Sequence, residues 1–260
     1  MPAASPRDRQ RILVFDSGLG GLTVFRAVHA LRPDADYLYL ADDAHFPYGA
    51  LAPDALVARV LAVIGAALDE FRADCVVIAC NTASTLVLPA LRAAFPMPIV
   101  GTVPAIKPAA AMTRTGLISV LATPGTVSRD YTAELIRDFA AGFDVTLVGS
   151  KHLAGLAEAA LRGEAVADPE IAAEIAPCFI EKARGRTDVV VLACTHYPLL
   201  LARIERLAPW PVAFIDPAPA IARRVVQLIG AGGAGEGGFA ARFTAGAAPA
   251  CALAAFAAGR

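Results

Sequence analysis

V-V-I-A-C-N-T runs from Val76 to Thr82, and V-V-L-A-C-T-H runs from Val190 to His196. Each is a short apolar run closed by Ala-Cys and two polar residues. A continuous run of this kind predicts a strand buried on both faces, as in parallel sheets. Helical spacing follows each run, over Ala83–Ala94 and Leu199–Leu207. One motif used twice predicts two related α/β halves, each with a cysteine between a strand and a helix.

A second pair lies upstream. F-D-S-G-L-G-G spans Phe15–Gly21 and L-A-T-P-G-T spans Leu121–Thr126, and each joins a strand to a helix. In the first half, strands are expected at Arg11–Phe15, Tyr37–Ala41, Cys75–Ala79 and Pro98–Gly101. Helices are expected at Leu22–Arg32 and Asp54–Arg72. In the second half, strands are expected at Gly116–Leu121, Val145–Val148, Val189–Ala193 and Val212–Ile215. Its helices are expected at Ser128–Phe139, Leu153–Leu161, Glu170–Ala183 and Pro219–Ile229. Gly230–Gly238 reads as a mobile loop, and Phe243–Ala258 as an edge strand and a last helix. The fold class is α/β: two pseudo-symmetric, doubly wound domains with mostly parallel sheets facing across a central cleft.

Composition sets outer bounds. The chain has 260 residues, 57% of them hydrophobic, but only 7% aromatic, and alanine makes up much of the total. The stretches Cys75–Leu91 and Phe243–Gly259 carry no charge but are interrupted by Pro, Gly or polar residues. They are too short for a membrane span, which needs about 20 apolar residues. The net charge of −1 argues against a nucleic-acid partner held by phosphate neutralisation. No signal-peptide pattern opens the sequence, which points to the cytoplasm. Five cysteines without a C-x-x-C support neither a disulfide framework nor a zinc site. No metal is expected.

The paired cysteines carry the chemistry. A thiol before a helix N-terminus faces oriented N–H groups that favour the thiolate. Cys80 and Cys194, approaching one substrate from opposite halves, make a two-base pair. One thiolate removes a proton from carbon, and the opposite thiol returns one to the other face. No metal or organic cofactor is needed. Cys75, Cys178 and Cys251 lack the two polar residues that follow Cys80 and Cys194, and read as structural. Asn81, Thr82, Thr195 and His196 offer donors for carboxylates, and His196 is placed to assist Cys194. Asp16 and Ser17 sit in the glycine-rich loop, where they are expected to hold a small substrate. His29 reads as a helix-surface residue, while His45 and His152 fit no metal set.

That loop has a rival reading. G-L-G-G-L-T resembles a dinucleotide fingerprint without its third glycine, and Asp42 stands near the distance of a ribose-binding acid. Asp16 at the phosphate-facing position would repel a pyrophosphate.

F-D-S-G-L-G-G-L-T-V, P-Y-G at Pro47–Gly49, A-C-N-T-A-S, P-A-I-K-P-A at Pro104–Ala109 and A-C-T-H-Y-P-L-L resemble the glutamate racemases of the aspartate/glutamate racemase superfamily. The match runs from about Ile12 to Val226. The resemblance implies cofactor-independent interconversion of L- and D-glutamate, supplying D-glutamate for peptidoglycan. By family role, Cys80 acts on the D-enantiomer and Cys194 on the L-enantiomer. Asp16, Ser17, Pro47, Tyr48, Gly49, Asn81, Thr82, Thr126, Thr195 and His196 fall on substrate-binding positions. Asp16 and His196 also serve as helpers to the thiols, and Glu158 falls near an acidic helper position. A-D-D-A-H departs from the usual G-D-T-A-R before P-Y-G, which leaves Asp43 and His45 without assigned roles. The family fold implies a first domain of residues 1–103 plus 217–260 and a second of 104–216. Some family members respond to a peptidoglycan nucleotide precursor as an activator, and homodimers occur among them. The alternative is a racemase of the same superfamily acting on aspartate or another small acid.

Overall fold

The computed structural model describes residues 9–246 and 249–250. The elements of the first half are β1 (Arg11–Asp16), α1 (Leu22–Leu31), β2 (Asp36–Ala41), α2 (Pro53–Phe71), β3 (Cys75–Ile78), α3 (Asn81–Ala94) and β4 (Ile99–Gly101). The chain continues through α4 (Ile106–Met112), β5 (Leu117–Ala122), α5 (Pro124–Val127), α6 (Asp130–Ala140), β6 (Asp144–Gly149), α7 (Leu153–Leu161) and α8 (Asp168–Ile175). Then come β7 (Glu181–Lys182), β8 (Gly185–Arg186), β9 (Val189–Ala193), α9 (Leu201–Leu207), β10 (Ala213–Ile215), α10 (Ala218–Ile229) and β11 (Phe239–Phe243).

Two parallel sheets result, in the orders β11-β2-β1-β3-β4 and β10-β9-β5-β6. The chain therefore returns to the first sheet after β10, through α10 and β11. Strand alternation sorts the side chains. Ile12 and Val14 of β1 pack with Leu22, Phe25 and Val28 of α1 and with Ile221 and Val225 of α10. Leu13 and Phe15 point the other way, onto Leu56, Val60 and Ile64 of α2 and Val87 of α3. In the second sheet, Leu121, Val190 and Leu192 meet α7, α8 and α9, while Ile118, Val120 and Val191 meet α4 and α6. Burial on both faces explains why these strands read as unbroken apolar runs.

Each sheet has a point where strand order reverses: between β1 and β3, and between β5 and β9. Open α/β sheets bind ligands beyond the strand ends at such points. Asp16, Cys80, Thr123 and Cys194 lie at or just beyond those ends.

Several expectations need correction. Helix Glu170–Ala183 does not form as one element: α8 ends at Ile175, a 3-10 turn covers Ala176–Cys178, and β7 and β8 make a small hairpin. Pro177 removes the N–H that a longer helix needs. The helix expected from Ser128 starts at Asp130, because Arg129 is extended and a separate turn, α5, precedes it. Helix α4 was hidden by Pro104 and Pro108, yet Pro108 sits in its first turn, where no intrahelical N–H is required. The glycine-rich segment 230–238 is tied down. Arg32 donates to the Gly230 carbonyl, and the N–H groups of Gly233, Gly237 and Gly238 donate to Asp34, Pro33 and Asp36. A Cβ at Gly237 would lie 1.8 Å from the Ala35 carbonyl oxygen, so only glycine fits that approach. His29 is half-buried against Phe25 and Tyr37, not free on a surface. The expected final strand is displaced to β11, and the expected last helix and Cys251 lie outside the described residues. Among the described residues, no helix is long and apolar enough to cross a membrane.

Candidate active site

Cys80 is the N-cap residue of α3, placed there because the apolar run of β3 ends at Ile78. Cys194 follows β9 in the same way. Both are buried and line one small, narrow cavity. Ser17, Phe46, Pro47, Tyr48, Gly49, Asn81, Thr82, Thr123, Ala154, Thr195 and His196 complete the lining.

The two thiols have different companions. Cys80 Sγ is 3.6 Å from the Ser17 hydroxyl. Burial, with the nearby Asp16 carboxylate, pushes the Cys80 thiol up to about 12, so it carries its proton at neutral pH. Cys194 Sγ is 3.8 Å from His196 Nδ1, and the opposite ring nitrogen is 3.0 Å from Glu158 Oε1. Burial opposes a charge on His196, but its hydrogen bonds to Cys194 and Glu158 prevail and push it up to about 10. The imidazolium is the stable form, so Nε2–H donates to the Glu158 carboxylate. The Gly20 N–H lies against the same nitrogen at 3.2 Å. Glu158 is held below its ordinary range: burial works against its charge, while His196, the Leu19 N–H and Arg162 outweigh it.

Asp16 and Thr126 lie one contact further out. Asp16 is fully buried, accepts the Gly18 N–H at 2.9 Å and the Thr195 hydroxyl at 3.1 Å, and is pushed up to about 6 by burial. Thr126 reaches the cavity wall through a hydroxyl cluster: Thr82 to Thr123 at 2.9 Å, Thr82 to Thr126 at 3.3 Å and Thr123 to Thr126 at 3.1 Å. Asn81 is 2% exposed, and neither atom of its carboxamide has a hydrogen-bond partner. A buried amide with both ends unsatisfied in a polar cavity is built for a bound group.

The glycine-rich loop is not a phosphate cradle. Its N–H groups at Gly18 and Leu19 already donate to the carboxylates of Asp16 and Glu158. A Cβ at Gly18 would lie 2.2 Å from Glu158 Oε1, and one at Gly20 2.4 Å from His196 Nδ1. The glycines let Glu158 and His196 of the second half press against the first. Asp42 binds Tyr48 and Arg59, which removes the ribose-binding reading. Sequence reasoning missed Thr123, Phe46 and Ala154 as lining residues. Thr123 had a signal, since it follows β5 as Asp16 closes β1 and Cys80 follows β3.

Comparison with known proteins agrees with this architecture. The sequence model of the Asp/Glu/hydantoin racemase family matches residues 23–225. Glutamate racemase of Rhizobium meliloti (strain 1021) is 58% identical over 219 residues, 84% of this chain and 79% of that protein. The Brucella anthropi glutamate racemase is 57% identical over 231 residues, 88% of this chain and 82% of that one. Among solved structures, Escherichia coli glutamate racemase, in complex with L-glutamate and the activator UDP-MurNAc-Ala, superposes with a TM-score of 0.87 at 40% identity, covering 96% of this chain and 95% of its own. An isoform from Bacillus anthracis gives 0.74 at 27% identity, covering 91% and 88%. The chain belongs to the Asp/Glu/hydantoin racemase family, among its glutamate racemases, and is an amino-acid racemase.

Proposed function

We propose that this racemase interconverts L- and D-glutamate without a cofactor, using Cys80 and Cys194 as opposed bases. The observation that carries the reading is that both thiols, from equivalent strand ends in opposite halves, line one cavity. The asymmetry of the two sites supports a direction. Cys194, beside the charged His196, takes the Cα proton of L-glutamate. Cys80, which holds its proton, delivers it to the opposite face of the carbanion. The return reaction runs with the roles exchanged.

Abstracting an α-proton is difficult, so the surroundings must hold the substrate rigidly and stabilise charge. Asn81, the Thr82–Thr123–Thr126 hydroxyls and the backbone N–H of Thr195 supply donors for the two carboxylates. Asp16 and Ser17 accept the ammonium group, with Asp16 ionised above about pH 6. His196, held by Glu158, assists Cys194. The donor set suits a dicarboxylic amino acid, and aspartate or another small acid is the alternative substrate.

The domain limits follow the same reading: residues 1–103 with 217–260, and 104–216. Support comes from β4 and β11 joining one sheet while β5 and β10 join the other. The product D-glutamate would serve peptidoglycan synthesis and thereby cell shape. A cytoplasmic site suits thiols that must stay reduced, and Cys80 and Cys194 are free. By analogy with the E. coli relative, a cell-wall nucleotide precursor such as UDP-MurNAc-Ala is proposed as an activator; a homodimer is proposed as the assembly from the family resemblance alone. Sedimentation tests the latter.

The test of substrate is polarimetric assay of L-glutamate, L-aspartate and related acids with purified protein and no added cofactor, with and without UDP-MurNAc-Ala. Racemisation of glutamate well above the others is expected. Faster turnover of aspartate would overturn the glutamate assignment.

A further inference from the structure

Asp42 directly follows β2, and its N–H donates to the Asp16 carbonyl at 2.9 Å. Its carboxylate is fully buried. Oδ2 accepts the Tyr48 hydroxyl at 2.6 Å and Arg59 Nε at 2.9 Å. Oδ1 accepts Arg59 Nη2 at 2.6 Å and the Thr244 hydroxyl at 2.7 Å. The four bonds come from three separate elements: the loop before α2, α2 itself and the residue after β11. Thr244 also accepts the Ala44 N–H at 3.2 Å, so it sits inside the turn that leads to Pro47.

Tyr48 lines the cavity and is 1% exposed. Beside it, Gly49 packs on the second half: a Cβ at Gly125 would lie 3.2 Å from Gly49 Cα. The ring of Tyr48 is thus gripped at its hydroxyl end, while its loop bears on α5. Burial and the Asp42 carboxylate push the phenol far up, so Tyr48 keeps its proton and acts as a wall, not as a proton carrier. A buried carboxylate needs its charge matched, and the Arg59 fork does that. The Thr244 bond is additional to that match and links the returning C-terminal segment to the cavity wall.

We infer that Asp42, clamped by Arg59 and Thr244, is a positioning residue for the Pro47–Gly49 loop, and that β11 thereby takes part in building the active site. The kinetic consequence rests on the proposed racemase reading; the structural consequence does not. Loosening the clamp lets Tyr48 and Gly49 move off the cavity, which weakens substrate binding and uncovers Cys80.

The test uses the full chain with Thr244→Val, Thr244→Ser and Arg59→Lys. Thr244→Val removes the hydroxyl but preserves shape, and the loss of one hydrogen bond predicts an effect of about fivefold. For glutamate, KM is expected to rise by about that factor, with kcat within about twofold, and Thr244→Ser is expected to restore it. In parallel, the rate of Cys80 alkylation by iodoacetamide is measured without substrate by peptide mass spectrometry. It is expected to rise about fivefold in Thr244→Val and Arg59→Lys, and not in Thr244→Ser. Unchanged Cys80 labelling in both Thr244→Val and Arg59→Lys overturns the inference, whatever happens to KM. Increased labelling in all three variants, serine included, marks general destabilisation and also overturns it. The labelling needs no substrate, so failure of the clamp and failure of the glutamate reading are told apart.

Discussion

Glu158 Oε1 lies 3.0 Å from His196 Nε2 and accepts the Leu19 N–H at 2.8 Å. One carboxylate oxygen on α7 therefore serves both His196 of its own half and the glycine-rich loop of the other. The charge that keeps His196 protonated also helps hold the halves together. Glu158→Gln keeps the shape but removes that charge. A fall in the rate from L-glutamate on the order of 100-fold is expected. The alkaline limb of its pH profile should move downward, because His196 loses one of the two hydrogen-bond partners, Cys194 and Glu158, that raise it. Initial rates from pH 6 to 10 check both.

His196 has a second consequence, for stability. Its folded value is raised from an ordinary 6.5 to about 10. A raised cation contributes stability that is complete below its unfolded value and is lost as pH climbs through the folded one. The melting temperature should therefore fall between about pH 6.5 and 10, and His196→Asn should flatten that slope. Thermal unfolding across this range, followed by circular dichroism, decides it.

Asp16 runs the other way. Burial raises it from 3.8 to about 6, so the folded state carries its charge at a penalty above that value. The penalty is absent below the ordinary carboxylate range and grows as pH rises toward 6. Asp16→Asn should stabilise the protein at pH 8 by roughly 1–3 kcal/mol while abolishing most activity. Denaturant unfolding at pH 8 and at pH 4 would show the gain at the higher pH only.

Gly20 tests the close approach of the halves. A Cβ there would lie 2.4 Å from His196 Nδ1 and 2.6 Å from the Thr195 hydroxyl. Gly20→Ala should displace both residues, lowering kcat by at least about 10-fold and stability by about 1–3 kcal/mol. Gly155→Ala, where an added Cβ meets nothing within 4 Å, is the matched control for a harmless methyl. Activity and melting temperature of the pair check the difference.

Much of this arrangement was readable from the chain, for a physical reason. Strands buried on both faces, such as β1, β3 and β9, write themselves as apolar runs, and the polar residues that follow them fall at the strand ends where ligands bind. Cys80, Cys194, Ser17, Asn81 and His196 were found that way. What local pattern could not convey was partnership across the fold. Asp42 stood where a ribose-binding acid would, and only its contacts with Tyr48, Arg59 and Thr244 reveal a clamp. Thr123 was hidden because a hydroxyl after a strand looks like a simple helix cap, which it also is, accepting the Thr126 N–H. Pro177 ends a helix that apolar spacing prolongs, and Pro108, inside the first turn of α4, masks a helix that does form.

In the proposed mechanism two thiols work on opposite faces of one carbon. The most direct measurement follows L- and D-glutamate in D₂O with the parent, Cys80→Ala and Cys194→Ala, reading Cα–H loss by NMR and configuration by polarimetry. The account predicts that the parent racemises both enantiomers, with solvent deuterium at Cα of the product. Each variant should lose racemisation by about a thousandfold or more. Cys80→Ala should retain exchange of L-glutamate alone, through Cys194, and Cys194→Ala exchange of D-glutamate alone, through Cys80. Either variant racemising at the parent rate would contradict the two-base account.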